Sequence, residues 1–90
     1  MNTISGDVWR RIISQSGQVF RQVRGGEFSY VVCSDNVIRL DRTNQTLSRA
    51  TFEKALARYP LSGPGAINDL RAPSYVYAIL MDPRIGVHNN

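Results

Sequence analysis

Residues 18–42 read QVFRQVRGGEFSYVVCSDNVIRLDR. Apolar and β-branched side chains alternate with polar ones along this stretch, which is typical of β-strands. Gly25-Gly26 and Asp35-Asn36 interrupt the pattern, and both pairs tolerate the positive φ that a two-residue hairpin turn requires. The stretch therefore predicts a three-stranded antiparallel meander with strands near 18–24, 27–34 and 36–42.

Two-residue turns would also decide which side chains share a face of this sheet. One face is then almost entirely apolar, and it is the predicted core face: Phe20, Val31, Cys33, Ile38 and Leu40. The opposite face mixes arginines with aromatic and aliphatic groups: Val19, Arg21, Val23, Phe28, Tyr30, Val32, Arg39 and Asp41. A slip of one residue at either turn would exchange the two faces.

Helical spacing appears on both sides of the predicted sheet. Before it, Val8, Trp9, Ile12 and Ile13 form an apolar stripe, with Ser5 or Asp7 as the expected N-cap and Gly17 as the stop. After it, residues 42–46 are expected to be a polar loop. The next helix should span 48–59, capped by Ser48 or Thr46, with Phe52, Ala55, Leu56 and Tyr59 covering the apolar sheet face until Pro60 ends it.

A third apolar segment runs between Pro73 and Asp82-Pro83. Proline suits the first turn of a helix and the second proline ends it, so a helix is expected, although the same residues would also suit a buried strand. The fold class predicted is α+β, in the order α-β-β-β-α-α. Because this segment is apolar on most sides, we expect it to be buried or to form a dimer interface through Tyr75, Val76, Ile79 and Leu80.

Length, charge and composition limit the kinds of function that the chain is expected to have. Ninety residues predict one domain over 1–90, and the net charge of +4 favours an anionic partner. Ten of the eleven basic residues are arginine, the side chain that binds phosphate and guanine in bidentate fashion. The chain lacks a signal-like start and an apolar run near 20 residues, and it has a single cysteine, so a cytoplasmic protein that does not bind membranes is expected.

Catalytic and metal-binding patterns are not found in the sequence. His88 lies near the end of the chain with no second group to orient it, and Cys33 is expected to be an inert thiol among apolar neighbours. The seven carboxylates are scattered, and no glycine-rich phosphate loop is present. We therefore expect neither an enzyme nor a bound cofactor or metal.

The remaining candidate site is the mixed face of the predicted sheet. Arg21, Arg24 and Arg39 would contact phosphates or base edges of DNA or RNA, and Tyr30 and Phe28 would stack on bases. A purely structural alternative has a helix covering this face, with Arg21 paired to Asp41. The alternative function is a homo-oligomeric protein-interaction domain without catalytic activity.

Residues 18–59, a predicted meander followed by a helix that opens with Thr51-Phe52-Glu53-Lys54-Ala55-Leu56, resemble AP2/integrase-type DNA-binding domains in topology. That family reads the DNA major groove with its exposed sheet face. The resemblance implies groove-reading roles for Arg21, Tyr30 and Arg39, although this chain lacks the tryptophan-rich, basic strands of the family and adds a helix at each end.

The closing segment, residues 72–85, reads APSYVYAILMDPRI. It resembles the ending of small uncharacterised bacterial proteins, some of them from mobile elements such as integron cassettes. This second resemblance implies no activity.

Overall fold

A computed structural model describes residues 3–87, with side chains from Gly6 onward. His88 lies outside the described residues. Helices and antiparallel strands follow one another as helix, strands and then two helices, so the predicted α+β class and order are confirmed. The helices are α1 (Thr3–Ser14), α2 (Arg49–Leu56) and α3 (Pro73–Met81), with a short 3-10 helix at Pro64–Ile67; the strands are β1 (Phe20–Arg21), β2 (Glu27–Phe28), β3 (Tyr30–Ser34), β4 (Val37–Leu40) and β5 (Thr46–Ser48).

The strands form two small sheets instead of the single meander predicted for residues 18–42. β1 pairs with β2, and a separate three-stranded antiparallel sheet has the order β3-β4-β5. A three-stranded meander therefore exists, but it spans residues 30–48. Its third strand is β5, which forms in a stretch that was expected to be a loop and a helix cap. Leu47 of this strand lies opposite Ile38 and is completely buried.

The first hairpin closes differently from the prediction. Phe20 pairs with Phe28 and Arg21 with Glu27, and Gln22 donates its amide hydrogen to the Gly26 carbonyl at 2.8 Å. The loop therefore has three residues, 23–25, and Gly25 supplies the positive φ of 95° at its end. This is the arrangement of three-residue hairpins that end in a left-handed glycine. The predicted two-residue turn at Gly25-Gly26 is wrong.

The second hairpin turns at the predicted residues, but neither Asp35 nor Asn36 adopts the positive φ expected of them, and the predicted faces are not kept. Ser34 pairs with Val37 across Asp35-Asn36, but a bulge at Cys33 shifts the register, so that Tyr30 lies opposite Leu40. An extra residue in one strand moves the following side chains to the other face. Val31 is consequently exposed and Tyr30 buried. Cys33 is exposed as the bulged residue, and Phe28 is buried in the separate β1-β2 sheet, so all four are the reverse of the prediction.

The helices form at or close to the predicted positions. α1 begins at Thr3, ahead of both proposed caps, and Gly17 adopts a positive φ of 85° shortly after its end. α2 begins after Ser48, whose side chain accepts a hydrogen bond from the Thr51 amide. α3 is a helix, not a strand, and Pro73 occupies its first turn.

The hydrophobic core lies between the β3-β4-β5 sheet and the helices. Trp9 of α1 packs against Phe52 of α2 with ring centroids 5.7 Å apart, and its indole nitrogen donates to the Asp35 carbonyl at 2.8 Å. Phe20 bridges the two sheets, since its ring lies 5.3 Å from that of Tyr30. The opposite face of the three-stranded sheet presents exposed Val31, Arg39 and Thr46. The helices thus leave one sheet face open, and this face carries an arginine.

Candidate functional site

Arg39 projects from the open face of the three-stranded sheet. It lies in the middle strand, opposite Val31 on one side and Thr46 on the other, and its side chain is exposed. Its side chain makes no hydrogen bond or ion pair with any residue that the structure describes. A free guanidinium on an open sheet face is able to meet an anionic partner without first breaking an internal contact.

Two further arginines converge on Glu27. The Arg21 side chain forms an ion pair with the Glu27 carboxylate at 2.8 Å, and the Arg42 guanidinium donates to the Glu27 carbonyl at 2.7 Å. Arg21 and Glu27 are both mainly exposed, with side-chain exposures of 65% and 57%. The Glu27 carboxylate therefore pairs with Arg21 alone, while Arg42 contacts only the backbone carbonyl of Glu27, which leaves positive charge on this part of the surface.

Backbone pairing links this cluster to the sheet. The Asp41 amide donates to the Ser29 carbonyl at 3.0 Å, and the Asp41 carboxylate accepts from the Ser29 amide at 2.9 Å. These bonds continue the β3-β4 pairing as far as Ser29, the residue between β2 and β3. Segment 27–31 thus has Arg42 beside its first residue and Arg39 opposite its last.

Arg24 occupies the loop of the first hairpin and is exposed. Within the described residues it makes no hydrogen bond or ion pair. It lines a cleft of about 570 Å³ that also includes Gln22, Asn68 and Ser74. The Gln22 amide nitrogen lies 3.2 Å from the Ser74 hydroxyl, which holds the hairpin against the start of α3. We call Arg21, Arg24, Arg39 and Arg42 the arginine surface.

The proposed aromatic partners of these arginines are not on this surface. Phe28 and Tyr30 are 3% and 0% exposed. The Phe28 ring meets the edge of Tyr75 at 4.8 Å, and the Tyr30 hydroxyl donates to the Ile12 carbonyl at 2.6 Å. Burial raises the pKa of Tyr30 more than the nearby Arg84 charge lowers it. The structure corrects the prediction that Phe28 and Tyr30 stack on bases, and Tyr30 cannot fill the groove-reading role that the AP2-type resemblance implied.

Sequence reasoning overlooked Arg42, which it placed in a polar loop. The available signal was Asn44, a residue that tolerates the left-handed conformation and here has φ of 61°. Asn44 lies near the end of the tight turn between β4 and β5, which is closed by a 2.8 Å hydrogen bond from the Leu40 amide to the Gln45 carbonyl. This turn holds Arg42 against the first hairpin.

The residues proposed as an interface are mostly internal. Val76, Ile79 and Leu80 are completely buried within the chain itself, and only Tyr75 is partly exposed. The apolar character of α3 is therefore accounted for by packing in the protein's own core. This removes the physical reason for placing a dimer interface on these side chains.

Ion pairs between described residues neutralise part of the protein's positive charge. Among the described residues, Arg11, Arg24, Arg39, Arg42, Lys54 and Arg71 have no carboxylate within ion-pair distance. The ion pairs that do form are Arg10–Asp7, Arg21–Glu27, Arg49–Glu53, Arg58–Asp69 and Arg84–Asp82. Among the described side chains only two carboxylates, Asp35 and Asp41, remain to offset the unpaired cations, and two of those cations, Arg24 and Arg39, lie on the arginine surface with no polar contact.

Residues 3–87 contain neither a cluster of metal ligands nor a membrane-spanning helix. No three side chains of His, Cys, Asp or Glu come together there as metal ligands. No helix in that range is long and apolar enough to cross a membrane.

Comparisons with protein-family models, curated proteins and solved structures find no match for the chain. The two resemblances stated from the sequence therefore remain predictions, and the arginine surface is the feature that bears on function.

Proposed function

We propose that this chain is a small basic module that binds nucleic acid, with the arginine surface contacting backbone phosphates. The observation that carries the proposal is the open sheet face, from which Arg39 projects without a partner. If a helix covered that face, Arg39 would be buried and would need an ion-pair partner inside the protein. The exposure of both Arg21 and Arg39 favours nucleic-acid binding over the purely structural alternative.

The charge distribution supports the same proposal. Within the described residues Arg24 and Arg39 are unpaired, Arg21 pairs with the Glu27 carboxylate, and Arg42 contacts only the Glu27 backbone carbonyl. Surface ion pairs of this kind are weak, typically below about 1 kcal/mol, so Arg21 can exchange Glu27 for a phosphate at little cost. Arginine also suits this role because its planar guanidinium forms paired hydrogen bonds with phosphate oxygens.

Salt dependence is the direct test. Each phosphate contact releases counterions, so four contacts predict binding about a hundredfold weaker at about 200 mM salt than at about 50 mM. Arg24→Ala and Arg39→Ala should each reduce the slope of log affinity against log salt by about one. The measurement is fluorescence anisotropy with labelled DNA and RNA of about 20 nucleotides, in single-stranded and duplex form.

Lys54→Ala supplies the matched control. Lys54 is also an exposed cation without an ion-pair partner among the described residues, but it lies on α2, the helix that covers the core side. Its loss removes one charge and should leave the salt slope unchanged. An equal effect of Lys54→Ala would indicate diffuse attraction instead of a defined surface. Absence of binding to every DNA and RNA at low salt would refute the proposal.

A further inference from the structure

We infer that the arginine surface recognises the phosphates of a double helix, without stacking on bases and without reading their sequence. This inference rests on the proposed function and names the class of nucleic acid that it would take. It follows from two features of the described residues, the placement of the aromatic rings and the anchoring of the first hairpin, and from the density of phosphates on a duplex.

No aromatic side chain is exposed among residues 6–87. The three that are only partly buried, Tyr59, Tyr75 and Tyr77, pack against the core. The other five, Trp9, Phe20, Phe28, Tyr30 and Phe52, are buried. Proteins that bind single strands without sequence preference use open aromatic faces on which successive bases stack. The described surface offers no fully open aromatic face beside the arginines, since Tyr77, which lies in the same groove as Arg21, is only partly exposed.

The first hairpin is also unsuited to entering a groove. Base edges in the major groove are read by an inserted helix or two-stranded ribbon. Here each strand of the ribbon has two residues, and the hairpin is held by Gln22 at Ser74 and by the Arg84 guanidinium, which donates to the Val19 carbonyl at 2.7 Å. A ribbon fixed along its length lies against a duplex instead of penetrating it.

The density of phosphates distinguishes a duplex from a single strand. A duplex presents about one charge per 1.7 Å of its axis, about twice as many as one strand offers over the same length. Contacts that depend on phosphate alone therefore favour the duplex.

The test compares ligands of equal length at one low salt concentration. These are a DNA duplex of about 20 base pairs, an RNA duplex of the same sequence, the two separate strands of each, and a DNA duplex of shuffled sequence and equal composition. We expect at least one duplex to bind about tenfold more tightly than its strands, and the shuffled DNA duplex to bind within about twofold of the original. The two duplex arms show whether DNA or RNA is preferred.

Tyr77→Ala is the control for stacking, because Tyr77 is a partly exposed aromatic in the same groove as Arg21. It should leave the duplex-to-strand ratio unchanged in protein whose circular dichroism matches the wild type; a ratio that shifts towards the duplex would show that Tyr77 stacks on bases and would overturn the inference. Equal or tighter binding of the strands, or a tenfold loss on shuffling, would also overturn it and leave the proposed function standing. No binding to any of the ligands would overturn both.

Discussion

The Tyr30 hydroxyl on β3 donates a 2.6 Å hydrogen bond to the carbonyl of Ile12 on α1. This bond joins the three-stranded sheet to the first helix at a point where both residues are completely buried. It accounts for the absence of Tyr30 from the arginine surface, because a tyrosine that bonds inward supplies neither its ring face nor its hydroxyl to a ligand.

Replacing Tyr30 with phenylalanine should destabilise the protein by about 0.5–1.5 kcal/mol, the usual net contribution of one internal hydrogen bond. The ring packing against Phe20 is retained, so the slope of the urea transition should not change. Tyr77→Phe is the matched control, since the Tyr77 hydroxyl makes no hydrogen bond with a described residue. Equal effects of the two substitutions would contradict the assignment.

Alkaline conditions should weaken the fold through the same residue. Burial raises the pKa of Tyr30, so the folded protein resists its ionisation while the unfolded chain ionises near pH 10. The contribution of Tyr30 to stability is thus complete below about pH 10 and is lost as the pH rises further. Urea midpoints measured between about pH 8 and pH 11 should fall less in Tyr30→Phe than in the wild type.

Acid should break the ion pair between Arg58 and Asp69, whose Nη2 and Oδ2 atoms are 2.7 Å apart. Hydrogen bonding from Arg58 lowers the pKa of Asp69 to about 2, below the unfolded value near 4. Its stabilising effect is therefore present above about pH 4 and lost between about pH 4 and pH 2. Melting temperatures of Asp69→Asn should fall less steeply over that range.

Part of the acid response should survive that substitution, because hydrogen bonding from Arg84 also lowers the pKa of Asp82. Asp35→Asn provides the control, since the Asp35 carboxylate makes no hydrogen bond with a described residue. If the melting temperature of Asp69→Asn fell in acid as steeply as that of the wild type, this would show that the ion pair between Arg58 and Asp69 does not form in solution.

Cys33 should react with a maleimide reagent in the native protein, because the bulge leaves its side chain exposed. Cys33→Ser should change stability by less than about 0.5 kcal/mol, as expected for a surface substitution. Ala55→Cys in that variant places a thiol at a completely buried position of α2 and should react only on unfolding. Protection of native Cys33 would indicate the regular register without the bulge.

Leu80→Ala should lower the free energy of unfolding by about 2–5 kcal/mol, since Leu80 is completely buried in the core of the single chain. Both the variant and the wild type should have the solution mass of a single chain, about 10.1 kDa. Met81→Ala, at a partly exposed position of the same helix, should cost less. A wild-type dimer that Leu80→Ala converts to folded monomer would restore the interface predicted from the sequence.

Sequence patterns among neighbouring residues were sufficient to predict the helices and the position of one turn. Ser48 caps α2 as expected, and Pro73 and Asp82-Pro83 bracket α3. Asp35-Asn36 forms the predicted turn between β3 and β4. Each of these features depends on backbone conformation or hydrogen bonds within about four residues, which a local pattern contains.

The faces of the strands were decided by tertiary packing. Alternation placed Val31 in the core and Tyr30 outside, but the bulge at Cys33 reverses them, because the Tyr30 ring packs against Phe20 while its hydroxyl bonds to Ile12. A buried aromatic ring with a satisfied hydroxyl removes more apolar surface from water than a valine does. The arginines could be identified as candidates from composition and spacing, but their separation from Phe28 and Tyr30 could not, because it depends on a strand register that is selected by residues distant in the chain.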